Sequence, residues 1–149
     1  CFIIQNEEML LIKKKRGVGE GLYNGPGGKI EKGETPRKCA IRETKEETQV
    51  TPESLEKIGE LEFMFGEKPF MFVHIFKTNK YTGKPNETEE AQPKWFKTNN
   101  LPYDEMWPDD EYWVPKMLDG KNSQQDSNSM KTETKFKTTG SKNQNSPID

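Results

Sequence analysis

Six residues in one stretch have the types and spacing to do chemistry together. In GKIEKGETPRKCAIRETKEETQV, from Gly28 to Val50, a glycine turn leads to Glu34 and then to Arg42, Glu43, Glu46 and Glu47. The last three glutamates stand at i, i+3 and i+4, so a helix places their carboxylates on one face within reach of each other. Like charges so arranged cost a helix a few tenths of a kcal/mol per pair. A hard divalent cation, which takes oxygen ligands, would turn that cost into a binding site. Taken alone, three such glutamates are more often just a solvated helix face.

The elements needed to hold these groups can be read from the flanks. Thr35-Pro36 is a helix start, with threonine as the cap and proline at the first helical position. Ala40, Ile41, Thr44 and Val50 form the less polar side, and Thr51-Pro52-Glu53 closes the unit. Before the helix, Cys1 to Gln5 and Met9 to Lys13 read as a strand hairpin, followed by a glycine-rich passage from Gly17 to Gly28 in which the backbone can approach a ligand. After it, Leu55 to Phe65 and Phe70 to Lys77 read as two longer strands, the second central in a sheet because it is nearly continuously apolar. Tyr81 to Pro85 reads as a turn-rich connector, Lys94 to Phe96 as a short strand, and Asp109 to Leu118 as a helix despite Pro115. Strands before and after a helix, with a second helix at the end, predict an α/β layer sandwich with a mixed sheet.

With 149 residues the chain fits one domain. Only 30% of residues are apolar against 32% charged, and mean hydropathy is -1.06, so the core is thin or part of the chain does not join it. Residues 119–149 are polar enough to be read as a mostly disordered tail, with an edge strand over 130–138 as its exception, which leaves a domain of residues 1–118. A net charge of -2 argues against a nucleic-acid polymer as partner. The run Lys13, Lys14, Lys15, Arg16 is either a solvated strand end or a rim that attracts phosphate. Cys1 and Cys39 make no disulfide framework, and with His74 no zinc set. No apolar segment is long enough to span a membrane and no signal peptide is visible, so a cytoplasmic monomer is the expectation.

Gly28, then Glu34 after five residues, then Arg42-Glu43 after seven more, then Glu46-Glu47, resembles the Nudix box of the MutT-like hydrolases. The resemblance implies a Nudix α/β/α sandwich with a mixed β-sheet, and hydrolysis of a diphosphate linkage assisted by Mg²⁺, with Mn²⁺ as an alternative. It implies a metal shell of Glu43, Glu46, Glu47 and the Gly28 carbonyl. Arg42 would orient a glutamate, Glu34 or Glu43, and Glu47 would be the main ligand and candidate base. Glu90, just before the Trp95 strand, resembles a distant carboxylate that completes the metal site or acts as base in related enzymes; otherwise it is a loop charge. Two positions depart from the pattern. Thr44 stands where an aliphatic residue is usual, and Gln49 where a glycine would end the helix more easily, a penalty of roughly 1 kcal/mol.

A second set of residues narrows the resemblance to the branch that hydrolyses oxidised purine nucleoside triphosphates. These are Asn24 in LYNGPGG and Trp107, Asp109 and Asp110 in MWPDD. In such a site Trp107 stacks on a base, a contact worth about 1 to 3 kcal/mol. Adjacent carboxylates cannot both ionise cheaply in a closed pocket, so one would donate to the purine edge while the other accepts, with Asn24 offering both kinds of group. WPDD also reads as a helix start with Asp109 as cap. Phe63 and Phe65 are expected to line the same pocket or the core, and Val18 replaces an aromatic pocket residue. The expected activity is cleavage of 8-oxo-dGTP or 2-hydroxy-dATP to monophosphate and pyrophosphate. The rivals are another nucleoside diphosphate derivative as substrate, or a catalytically silent nucleotide-binding module.

Overall fold

The computed structural model describes residues 1–17, 19–65, 68–119, 125–128 and 132–138, whose backbone falls into two compact units. The first comprises residues 1–56 and 76–107. Its sheet is built around β2 (Glu8–Lys14), which pairs antiparallel with β1 (Phe2–Gln5) and β3 (Tyr23–Asn24) along one edge and with β8 (Ala91–Lys97) along the other. With strands on both edges, β2 carries a continuous run, Met9 to Ile12, that is 1% exposed or less. The hairpin from β1 to β2 turns through Asn6 and Glu7, both at positive φ (52° and 63°), as a two-residue turn matching strand twist requires.

The sheet is mixed because β1 runs parallel to the end of β6 (Lys68–Thr78), pairing Phe2 with Lys77 and Ile3 with Thr78. Helix α1 (Pro36–Thr48) packs its apolar side into this unit: Ala40 joins Leu55 and Phe76 in one cluster, while Val50 joins Ile3 and Leu10 in another. Thr51–Glu53 does more than close the unit. It forms β4, which pairs antiparallel with β7 (Lys80–Thr82), so the connector expected after Tyr81 begins as a strand. Three-residue strands carry too little periodicity to be read from a pattern.

The second unit comprises residues 57–75 together with the described residues from 108 onward. It holds most of β5 (Glu56–Phe65), the start of β6, β9 (Gln125–Asn128), β10 (Thr132–Thr138) and helix α2 (Asp110–Asp119). Strand β10 lies antiparallel on β5, from Thr132 opposite Phe65 to Thr138 opposite Gly59, and β9 pairs along its other side. The strand expected over 130–138 is therefore flanked on both sides and is not at an edge. Its alternating Thr132, Thr134, Phe136 and Thr138 suit a pleated surface despite the polar composition. Helix α2 passes through Pro115, which removes one donor without ending the helix. Among the described residues no helix is long and apolar enough to cross a membrane.

Candidate active site

Helix α1 begins where its cap sets it: the Lys38 N–H donates to Thr35 Oγ1 at 3.1 Å, and Pro36 follows the cap. From that start Cys39, Arg42, Glu43, Glu46 and Glu47 project along the side of α1 that meets the loop at Gly27 to Lys29. Arg42 is the hub. Its Nε and Nη2 donate to both Glu34 oxygens at 2.7 and 3.0 Å, a bidentate pair. Its Nη1 donates to Glu43 Oε1 at 2.8 Å and lies 3.4 Å from Glu46, while Nη2 also reaches the Lys29 carbonyl at 3.1 Å. Hydrogen bonds from Arg42 and from the Glu31 N–H hold the Glu34 carboxyl down at about 2. The arginine thus orients Glu34 and Glu43 together, and the choice left open between them does not arise.

Glu47 is 3% exposed. Its Oε1 accepts the Gly27 N–H at 2.9 Å and its Oε2 lies 3.6 Å from Lys14 Nζ. Burial raises its pKa, and Gly27 and Lys14 only partly oppose the shift. Burial raises Glu43 as well, against the pull of Arg42. Glu43 is pressed against Gly28 so closely that a Cβ there would collide with its carboxylate. Behind the same glycine, the Cys39 thiol donates to the Gly28 carbonyl at 3.6 Å, and burial pushes that thiol up to about 11. Thr44 is fully buried, its hydroxyl satisfied by the Ala40 carbonyl at 2.7 Å, which is how a polar residue occupies a position expected to pack poorly. Gln49 ends α1 in the left-handed conformation (φ 65°, ψ 18°), with its N–H on the Lys45 carbonyl at 2.9 Å.

Glu90 stands across an open cleft of about 720 Å³, lined by Lys15, Glu46, Gln49, Glu87, Thr88 and Glu89 as well as by Glu90 itself. Arg16 pairs with it and holds its pKa below the ordinary carboxylate value, and Lys15 pairs with Glu87. The basic run thus serves acidic residues of the cleft at Lys15 and Arg16, and the buried Glu47 at Lys14. Among the described residues no group of three His, Cys, Asp or Glu side chains is gathered tightly enough to hold an ion. The reason is visible in the pairings: Arg42 engages Glu43 and Glu46, while Lys14 and the Gly27 N–H engage Glu47. The donors themselves, carboxylates and a glycine carbonyl, are hard oxygens that suit a divalent cation. Two of the carboxylates are held in surroundings that disfavour their bare charge, which a cation would compensate.

The residues assigned to a base divide between the units. In the first, Asn24 Oδ1 accepts the Gly25 N–H at 2.8 Å, so its NH₂ is the half turned to other partners. Trp107 is 39% exposed and its indole covers Gly19, where a Cβ would lie 3.3 Å from the ring. In the second, Asp110 opens α2, is 5% exposed, and accepts the Trp113 indole N–H at 3.0 Å through Oδ1. Asp109 immediately precedes the helix, its carbonyl taking the Tyr112 N–H at 3.1 Å. Phe63 and Phe65 lie on β5 opposite Thr134 and Thr132, and their side chains, like Val18, fall outside the described residues. Sequence reasoning missed Cys39 as a partner of the site, and only the local basic run hinted at Lys14 and Arg16.

The chain matches a known family. The NUDIX domain description fits residues 1–117, and the chain belongs to the Nudix hydrolases. Over 120 residues it is 45% identical to the oxidized purine nucleoside triphosphate hydrolase of Danio rerio, covering 80% of this chain and 77% of that protein. It is 29% identical over 118 residues to the 8-oxo-dGTP diphosphatase of Escherichia coli (strain K12), covering 77% of this chain and 91% of that one. The MutT protein of Bacillus halodurans superposes with a TM-score of 0.66 at 27% identity, over 77% of this chain and 76% of that chain. Nudix hydrolases generally use divalent metal ions.

Proposed function

We propose that this enzyme is a Mg²⁺-dependent pyrophosphohydrolase of oxidised purine nucleoside triphosphates such as 8-oxo-dGTP and 2-hydroxy-dATP. It would break the bond between the first and second phosphates to give the monophosphate and pyrophosphate, and so cleanse the nucleotide pool. The observation that carries the reaction is the joint packing of Gly28 on Glu43 and of Arg42 on Glu34 and Glu43. The substrate class is supported by the likeness to the Danio rerio enzyme and by the presence of Asn24, Trp107, Asp109 and Asp110.

Glu43, Glu46, Glu47 and the Gly28 carbonyl are the groups that would hold the cation, with Glu90 sharing the cleft that Glu46 lines. A bound Mg²⁺ supplies neutralisation of phosphate charge and a lower pKa for a coordinated water. Glu47 is assigned to take the proton of the attacking water, because burial has already raised its proton affinity. Glu90, held low by Arg16, is the poorer acceptor and is assigned to the metal side. Arg42 fixes Glu43 in place, and Lys14 and Lys15 attract the polyphosphate. Trp107 would stack on the purine while Asn24, Asp109 and Asp110 read its edge. We read the protein as a cytoplasmic monomer with no nucleic-acid polymer or membrane as partner.

A substrate panel with Mg²⁺ tests the reading. Pyrophosphate release from 8-oxo-dGTP and 2-hydroxy-dATP, with ADP-ribose left intact, is the expected result. Preference for ADP-ribose or a dinucleotide polyphosphate would move the substrate and keep the chemistry, whereas no turnover of any of them would leave a silent nucleotide-binding module.

A further inference from the structure

Three consecutive residues before α1 each have a backbone group gripped by a side chain of that helix. Gly27 gives its N–H to Glu47 at 2.9 Å, Gly28 receives the Cys39 thiol on its carbonyl at 3.6 Å, and Lys29 receives Arg42 Nη2 on its carbonyl at 3.1 Å. The outer two grips belong to residues already given roles. The middle one does not. Cys39 is 3% exposed and stands one helical turn before Glu43, so the two side chains share Gly28 between them. The carboxylate fills the space over its Cα and the thiol meets its carbonyl oxygen. The thiol also accepts from Arg42 Nη2 at 3.8 Å, and a donor chain that starts at a cation polarises the S–H toward the carbonyl.

We infer that Cys39 is a positioning residue for the cation site, through its hold on the direction of the Gly28 carbonyl oxygen. The inference rests on the reading of that oxygen as a cation ligand. The peptide unit that carries this oxygen joins Gly28 to Lys29, and the glycine on its N-terminal side leaves its orientation weakly constrained, so an outside partner must select it. A carbonyl oxygen has two lone pairs, and the thiol leaves one for a cation. Partners that orient a metal ligand are worth about 10- to 100-fold in metal affinity, and a thiol, being a weak donor, belongs at the low end of that range.

The test is Mn²⁺ binding to the whole chain without nucleotide, read from the electron paramagnetic resonance of free Mn²⁺, with thermal melting recorded alongside. Wild type should bind, Cys39→Ala and Cys39→Val should bind about 10-fold more weakly, and Cys39→Ser, which keeps a donor, should fall between wild type and Cys39→Ala. The valine variant preserves volume, so it separates lost packing from a lost donor should the alanine variant fold poorly. Equal Mn²⁺ affinity in wild type, Cys39→Ala and Cys39→Val overturns the role of Cys39, as does a serine variant no better than alanine. A wild-type protein that binds no Mn²⁺ overturns the cation reading beneath it, which is a different result from loss in the variants alone.

Discussion

The Glu43 carboxylate occupies the space that any side chain on Gly28 would need. Because Arg42 pins that carboxylate, it cannot swing aside to make room. Gly28→Ala should therefore lower kcat/KM by about 100-fold, the scale expected when catalytic groups are displaced by an ångström. Steady-state kinetics on 8-oxo-dGTP would check it. Unchanged kcat/KM would show the contact to be incidental.

Glu34 sets an acid limit on stability. Its folded pKa, about 2, lies below the ordinary value of 4.5. A depressed carboxylate stabilises the fold above its unfolded pKa, and that contribution is lost as pH falls from 4.5 toward 2. Urea denaturation as a function of pH should show this loss in wild type, while Glu34→Gln gives a flatter curve across the same window.

Glu47 behaves in the opposite sense. Its folded pKa is raised by burial, so its ionisation works against folding, and its contribution is complete below the unfolded value of 4.5 and lost as pH rises through the folded one. Glu47→Gln should abolish turnover, retain nucleotide binding and melt above wild type at about pH 8, with the gain fading in acid. Differential scanning calorimetry across pH, paired with an activity assay, reads both halves. A variant that melts lower at every pH contradicts the sign argued here.

Gln49 ends α1 at φ 65°, a conformation costly for a residue with a Cβ. Gln49→Gly should stabilise the protein by about 1 kcal/mol. Its side-chain contact with Asn86, at 3.4 Å, is long enough that little is lost with it. The chemical-denaturation midpoint would rise with an unchanged slope.

Asp109 and Asp110 should separate base recognition from bond cleavage. Asp109→Ala or Asp110→Ala is expected to raise KM for 8-oxo-dGTP by about 10-fold or more, one lost specific contact, and to leave Mn²⁺ affinity unchanged. If neither variant alters the preference between oxidised purines, the idea of a donor and acceptor carboxyl pair is wrong.

What could be read from the residues was what local chemistry dictates. Thr35-Pro36 can only start a helix, and from that start the positions of Arg42, Glu43, Glu46 and Glu47 follow by helical period. Gln49 at the helix end was legible as a strained cap only through the resemblance to the Nudix box, which has a glycine there. What escaped depended on segments distant in sequence meeting in space. Arg16 finds Glu90 across 74 positions and Lys14 finds Glu47 across β2. Cys39 meets Gly28 only because the loop folds back onto α1, and no composition or spacing marks a lone cysteine for that task. Strand β4 and its partner β7 are too short to carry a period, and β10 is too polar to advertise that it is flanked on both sides.

Helix α1 and the loop bearing Glu90 share a splice of backbone. The Asn86 N–H binds the Thr48 carbonyl at 3.0 Å, the Thr88 hydroxyl reaches the Glu47 carbonyl at 3.4 Å, and Gly83 lies so close to the Gln49 carbonyl that a Cβ would sit 2.9 Å from it. The two sides of the cleft are therefore tied together, and Glu90 stands two residues beyond the last of these ties, at Thr88. Adding or removing one residue between Thr88 and Glu90 would shift Glu90 by up to about 3.5 Å, more than a whole metal–oxygen bond. On the metal-side role proposed for Glu90, loop length at this splice would gauge catalytic competence, and a single codon inserted here would cost the chemistry with every glutamate of the helix in place.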